Sequence, residues 1–499
     1  MAMTFSQQEN IGFRYVINSL SCSSPYGQAR VSKLRFFDPN EIDELKTQLS
    51  NVCRVKDTLT TLSFEYGRLQ RLMMPMKDIR RSAMNLSEGA LSELELFELK
   101  RFLLQTELIA PVLEDVIAKA HIEGIAIPAQ TEALKIIDPE GSRAATFFIA
   151  DNASPELKQA RREKREIEEL IRKETDSAER ARLMALRSAA AGKEDAEERR
   201  IRKEICLDLA PYTASIIDCM DNVAELDFTI ARAEIAAQYG GVMPHFSDGP
   251  VEMEDMVNPR VADALFERER RFTPVSLSAP VGATVITGAN MGGKSVALKT
   301  LALNAMLVKA GMLPFAKYAK LPLFGGIFIV SEDLEDMDRG LSSFGAEIVQ
   351  FNEVEQAAAQ TEGISLILLD EFARGTNPEE GAMIVRAVTR YLDNQPSVSV
   401  LTTHYDGVAA LASAHFEVKG LKDMDMAKVA EEIAASDGHI KGADIIASHM
   451  NYGLYRAQGA ESCPRDARNI CALLALKDEI LKDCLLYTSP SPRDVEESR

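Results

Sequence analysis

The chain has 499 residues, enough for two to four domains, and 46% of them are hydrophobic against 27% charged, so sizeable cores can form and wholesale disorder is excluded. Lys and Arg total 57 against 76 Asp and Glu, and the resulting charge of −19 excludes a protein that coats nucleic acid over its whole surface, though not a local basic patch. The seven cysteines form no CxxC pair, no apolar run nears the roughly 18 residues of a membrane helix, and the start lacks a signal-peptide pattern, which together predict a cytoplasmic chain with reduced thiols and no membrane partner.

The first 154 residues carry helical periodicity. One pattern runs from Glu41 to about Arg71, and Leu96, Leu99 and Leu103 recur at helical spacing among Glu93, Glu95, Lys100 and Arg101. From Pro155 the composition changes. Between Glu156 and Glu204 there are 15 Lys and Arg against 13 Asp and Glu, with few apolar residues, which predicts a charged helical arm of antiparallel helices turning near Ala189–Gly192. A return helix follows to Gln238, and Gly240-Gly241 closes the 155–240 region. From residue 241, short apolar runs alternate with helical patterns: GATVITG and then Ser295–Ala310, GIFIVSE, ISLILLDE and then Pro378–Leu392, and SVSVLTTH. That alternation predicts a parallel sheet flanked by helices. Residues 484–494, CLLYTSPSPRD, match the translation of a sequencing-library transposase adapter, so 484–499 is set aside as a scar.

Residues 288–295 read GANMGGKS, which fits GxxxxGK[ST] between an apolar strand and a helix. In that context Gly288, Ala289, Asn290, Met291, Gly292 and Gly293 turn the backbone so that successive N–H groups face a polyphosphate at a helix N-terminus, with Val296 in the first helical turn. Lys294 supplies a point charge for the β- and γ-phosphates, and the Ser295 hydroxyl is suited to Mg²⁺. The apolar run Ile364–Leu369 ends in Asp370 and Glu371, placing one carboxylate for Mg²⁺ and the next for polarising an attacking water. A further strand, Val398–Thr403, ends at His404, where an imidazole is placed to sense or position the γ-phosphate.

These segments resemble those of the MutS family of ATPases, relatives of the ABC ATPases. TGANMGGKS (287–295) is similar to the family's TGPNMGGKS, LLDEFARGTNPEEG (368–381) to its DEIGRGTSTYDG and LTTHY (401–405) to its ATHY. DRGLSSFGAEI (338–348) and MNYGLYRAQG (450–459) resemble two further family segments, and RFTPVSL (271–277) stands where the family places the aromatic that stacks on adenine, which implies that role for Phe272. The resemblance implies an all-α helical lever and clamp region followed by an α/β P-loop NTPase domain of the ABC-like kind. Its parts would be a helical core and lever (1–154), the clamp-like arm with its return helix (155–240) and the ATPase domain (241–483).

It further implies a dimer, homomeric or with a related subunit, in which Ser342 and Ser343 of one subunit complete the other's site. Arg374-Gly375-Thr376 would lie at that interface. The sequence before the helical core leads us to expect no mismatch-reading domain with a Phe-x-Glu wedge, and SPYGQARVSKLRFF (24–37) resembles the start of the shorter, MutS2-like members.

Two readings of the client follow. One is an ATPase whose arms clamp branched or duplex DNA under control of ATP and Mg²⁺, in mismatch repair or recombination. Its arm cations would be Arg161, Arg162, Lys164, Arg165, Arg199, Arg200 and Arg202. The other is an ATP-dependent reactivating chaperone for a cobalamin-dependent lysine 5,6-aminomutase, a protein client, to whose reactivating ATPase 258–275 and 463–481 look similar. A nucleotide-binding scaffold without hydrolysis fits poorly with an intact Lys294, Asp370, Glu371 and His404.

Overall fold

The computed structural model describes residues 3–144, 146–151, 153–288, 293–331, 343–420, 425–435, 445–446, 449–457, 471 and 473. The run to residue 240 is helical: α1 (Phe5–Asn10), α2 (Phe13–Asn18), α3 (Pro25–Ser32), α4 (Ile42–Thr58), α5 (Ser63–Met73), α6 (Arg80–Met84), α7 (Glu93–Ala120), α8 (Thr131–Ile137), α9 (Pro155–Lys173), α10 (Ser177–Leu209) and α11 (Thr213–Tyr239). Beyond it come β1 (His245–Phe246), β2 (Val251–Met256), α12 (Pro259–Phe266), β3 (Val275–Ala279), β4 (Gly282–Thr287), α13 (Lys294–Lys309), β5 (Tyr318–Leu321), β6 (Gly326–Val330) and α14 (Ser343–Ala359). The last elements are β7 (Ser365–Asp370), α15 (Pro378–Asp393), β8 (Val398–Thr402), β9 (Ala414–Gly420), α16 (Met426–Ala435) and β10 (Asn451–Arg456). Among the described residues no helix is long and apolar enough to cross a membrane.

The chain separates into two compact units. The first comprises 21–34 and 54–233, and the second 1–20, 35–53 and 234–499. The elements of the first unit are all helices among its described residues, joined by loops such as 121–130. Its long helix α7 starts from a reciprocal cap, in which Ser92 Oγ accepts the Glu95 N–H while the Glu95 carboxylate accepts the Ser92 N–H at 2.9 Å. Leu96, Leu99 and Leu103 are fully buried along α7, as their spacing predicts.

In the arm, Ser154 caps α9 with Pro155 in its first turn, and α9 pairs with α10. The turn between them is at 174–176 and not near Ala189–Gly192, which lies inside α10. An alanine-rich run favours helix strongly enough to carry one glycine, whose cost is about 1 kcal/mol. The break instead falls where Asp176 accepts the Ala178 and Glu179 N–H groups at 2.8 and 2.9 Å and so starts α10.

The second unit holds both sheets. A four-stranded sheet runs β1-β5-β2-β3, and a six-stranded sheet runs β10-β9-β4-β8-β7-β6. In the larger one β9, β4, β8, β7 and β6 are parallel, and β10 closes the edge antiparallel to β9. Strands β4, β6 and β8 are buried along their whole length, so they read as unbroken apolar runs rather than as alternation. Register sets Asp370 and Ile286 beside Thr402, so the carboxyl ends of β4, β8 and β7 come level at one edge of the sheet. Ligands in open α/β sheets bind outside that edge.

Candidate nucleotide site

The turn from β4 into α13 needs two glycines. Gly288 has φ +147° and a Cβ there would lie 3.0 Å from the Val418 Cβ; Gly293 has φ +88° and a Cβ would come within 2.9 Å of the Tyr452 ring. Helix α13 then begins at Lys294 and is buried on nearly all sides, which fixes the direction of its N-terminus. Lys294 is itself buried. Its Nζ donates to the Gly288 carbonyl at 2.9 Å and lies 3.3 Å from a Glu371 carboxylate oxygen.

Ser295 follows, and its hydroxyl donates to Asp370 Oδ1 at 2.8 Å. The same oxygen accepts from Thr402 Oγ1 at 2.8 Å, and Thr402 Oγ1 accepts the Glu371 N–H at 2.9 Å. Thr402 therefore ties the two carboxylate residues to the end of β8. Glu371 and Ala373 adopt left-handed backbone, φ +50° and +60°, which costs a residue other than glycine on the order of 1 kcal/mol or more. Three contacts hold that turn: Glu347, buried, accepts the Ala373 N–H at 2.6 Å, Tyr405 donates to the Ala373 carbonyl at 3.0 Å, and Arg374 pairs with Glu371 at 3.1 Å.

His404 stands just past β8, open to solvent and stacked 4.4 Å from the Tyr405 ring. The protein around it desolvates the imidazole enough to lower its pKa; Lys294 and Arg374 push the same way, and Glu371 opposes them. The ring is thus held neutral at pH 7.

A cavity of about 620 Å³ opens on this constellation, its walls including Gly293, Lys294, Ser295 and Val296 on one side and Phe272 with Arg270 and Arg271 on another. Tyr452 adds an aromatic wall, and burial raises its hydroxyl pKa. A smaller polar cavity of about 190 Å³ borders Ser295, Lys299, Asp370, Glu371 and Arg374. The structure therefore brings together Phe272, Gly288, Gly293, Lys294, Ser295, Val296, Asp370 and Glu371, with His404 close to Glu371 and Lys294. Ala289, Asn290, Met291, Gly292, Ser342 and the Ser343 side chain lie outside the described residues.

Thr402 and Tyr452 were not singled out by pattern. Both lie in segments noted for their resemblance, LTTHY (401–405) and MNYGLYRAQG (450–459), but no pattern within those segments assigns either residue a role at the site. As for chemistry, the Ser295 and Asp370 oxygens are hard donors of the type Mg²⁺ takes, adjacent to a lysine that attracts phosphate.

A glycine-turned junction of strand and helix, with a buried lysine and paired carboxylates at parallel strand ends, is an arrangement suited to a polyphosphate. Residues 284–472 match the family model MutS domain V, and over that stretch the chain is similar to MutS proteins. It is 30% identical over 225 residues to an endonuclease MutS2 of Halothermothrix orenii, covering 44% of this chain and 27% of the relative. It is 25% identical over 469 residues to an endonuclease MutS2 of Brevibacillus brevis, covering 81% of this chain and 57% of the relative. The DNA mismatch repair protein MutS of Pseudothermotoga lettingae is 32% identical over 222 residues, 44% of this chain and 26% of that protein. The chain thus spans from about a quarter to under three fifths of the length of these relatives.

Proposed function

We propose that the protein is a MutS-like ATPase that hydrolyses ATP to ADP and phosphate with Mg²⁺, works as a dimer and uses the cycle to move its helical arms as a clamp on DNA. The observation that carries the reading is the convergence of Lys294, Ser295, Asp370 and Glu371 at the level ends of β4, β7 and β8, beside a cavity walled by Phe272. In this reading Phe272 stacks on adenine and the turn at 288–293 cradles the phosphates. Phosphate oxygens replace Glu371 and the Gly288 carbonyl as partners of Lys294. Glu371, released from that ion pair, faces the attacking water, and His404 lies near the terminal phosphate. Ser295 and Asp370 would hold Mg²⁺, which neutralises phosphate charge when bound. Ser342 and Ser343 of a second subunit would complete the site, with Arg374 at the interface.

One observation favours a second reading of the client. Five of the seven arm cations are engaged by the arm's own acids and their neighbours: Arg161 by Asp151, Glu194 and Glu198, Lys164 by Glu194, Arg165 by Asp151, Arg200 by Glu197 and Glu204, and Arg202 by Glu93; Arg162 lies 3.9 Å from Glu166, and Arg199 makes no ion pair among the described residues. A surface that neutralises itself attracts a phosphate backbone weakly. That fits a protein client, such as a cobalamin-dependent lysine 5,6-aminomutase that needs reactivation.

Steady-state ATPase of the full chain with linear and branched DNA at two salt concentrations tests both. The expected result is Mg²⁺-dependent hydrolysis, reduced by about a thousandfold in Glu371→Gln while ATP still binds. Undiminished turnover in Glu371→Gln would remove the role given to that carboxylate. Salt-sensitive stimulation by DNA supports the clamp, and basal hydrolysis indifferent to DNA moves the reading to the protein client.

A further inference from the structure

The smaller of the two cavities at the site has a wall from the far end of the chain. Asn10, the last residue of α1, lines it with Ser295, Ser331, Asp370 and Glu371. Helix α1 belongs to the same compact unit as the phosphate-binding turn, although some 280 residues separate them in sequence.

Its end is held in place by several bonds. Gln7 Nε2 donates to the Ile329 carbonyl of β6 at 3.2 Å, two residues before the Ser331 that shares the cavity. Asn258, at the start of α12, donates from Nδ2 to the Ile11 carbonyl at 3.1 Å, and Arg260 donates to the Glu9 carbonyl. Gly12 turns the chain with φ +90°, and a Cβ there would lie 2.9 Å from Asn258 Oδ1, so the helix end and α12 meet too closely for any larger residue. The carbonyls on both sides of Asn10 are thus bonded to the start of α12, and Gln7 to β6, the neighbour of the strand that ends in Asp370. These bonds fix the backbone from which the Asn10 side chain reaches the cavity wall.

The cavity it faces carries Asp370 and Glu371 as well as the Ser295 hydroxyl. A carboxamide brings donors to a phosphate oxygen without adding charge to a place already rich in it. We infer that Asn10 contacts the terminal phosphate of the bound nucleotide, so that the N-terminal helix completes the hydrolytic site from within the same chain. The inference rests on the ATPase reading above, and it adds a group that none of the site motifs contains.

The test compares ATP with ADP on the full chain, by calorimetric titration of each in the presence of Mg²⁺ alongside steady-state hydrolysis. In Asn10→Ala we expect ATP affinity and turnover to fall about tenfold with ADP affinity within about twofold, as loss of one hydrogen bond to a charged group would give. Asn10→Asp sets a negative charge against the terminal phosphate and should widen the gap between ATP and ADP further. Equal losses of ATP and ADP affinity would overturn the inference, since that is what a displaced helix end produces. So would wild-type behaviour in both variants, and in that case the ATPase reading stands without it. A wild-type chain that neither binds nor hydrolyses ATP removes the ATPase reading itself, and the inference with it.

Discussion

Charge is used in opposite ways in the helical arm and at the nucleotide site. In α9 and α10 charges are numerous and many face solvent, while Arg161, largely shielded, meets Asp151, Glu194 and Glu198. Apolar contact there is thin: Leu157 and Ile201 pack with Ile149, while Leu170, Met184 and Leu186 stay exposed. At the site a handful of charges converge at the end of a buried sheet, and Lys294 has 3% of its side chain exposed. Arm charges hold two helices together and are interchangeable in kind. Site charges are few, held by specific neighbours, and paired with groups that a ligand can replace. The number of charged residues in a segment is therefore a poor guide to where ligand chemistry happens.

The comparison is sharpest at Lys294. Its removal to Ala should weaken ATP binding by about a hundredfold, as loss of a charge-assisted partner for two phosphates would, and titration of the variant with ATP reads the change directly. Affinity within about threefold of wild type would break the assignment. The matching change in the arm, Arg161→Ala, should cost about 2 kcal/mol of stability in chemical denaturation and leave ATP affinity within about twofold, because Glu194 and Glu198, largely shielded from solvent, each lose a charge-assisted partner while Asp151 is half exposed. A loss of several kcal/mol would mean that the arm is held as a buried ion network is.

The smallest expected effect is in pH dependence. Because the His404 pKa is lowered, the neutral ring persists through pH 7 and protonates only below the ordinary imidazole value of about 6.5. Turnover should be level between about pH 7 and 8 and fall a few-fold as pH drops below about 6. His404→Gln should remove the part of that fall due to the ring, and an unchanged profile in the variant would separate His404 from the reaction.

Much of the sheet domain was legible in the sequence. Strands β4, β6, β7 and β8 are buried parallel strands and hence continuous apolar runs, and α13 and α15 start where a glycine turn and a proline mark them. The four-stranded sheet was not legible, since its strands β1, β2, β3 and β5 have two to six residues and mix buried with half-exposed positions. In the arm the alanine-glycine run at Ala189–Gly192 suggests a turn, but α9 ends at Lys173 and the side chain that starts α10 is Asp176, a short local cap without periodicity. At the site, Lys294, Ser295, Asp370 and Glu371 belong to recognisable strings. Thr402 is one hydroxyl in a strand end, and Asn10 reaches the cavity only through tertiary packing across most of the chain, which no local pattern encodes.

The two arginines along the larger cavity carry a kinetic consequence. In the proposed reading the ligand, a nucleoside triphosphate, is a polyanion that must approach a protein whose net charge is −19. Long-range repulsion slows such encounters unless a local region of opposite sign draws the ligand in. Arg271 is exposed and Arg270 half-buried beside it, with Glu269, on the lining that also carries Phe272, so the positive charge offered there is confined to two side chains. Capture of the nucleotide then depends on a field a few residues wide. Its reach shrinks as salt rises, while the contacts deeper in the cavity, and hence the rate of escape, feel that change far less.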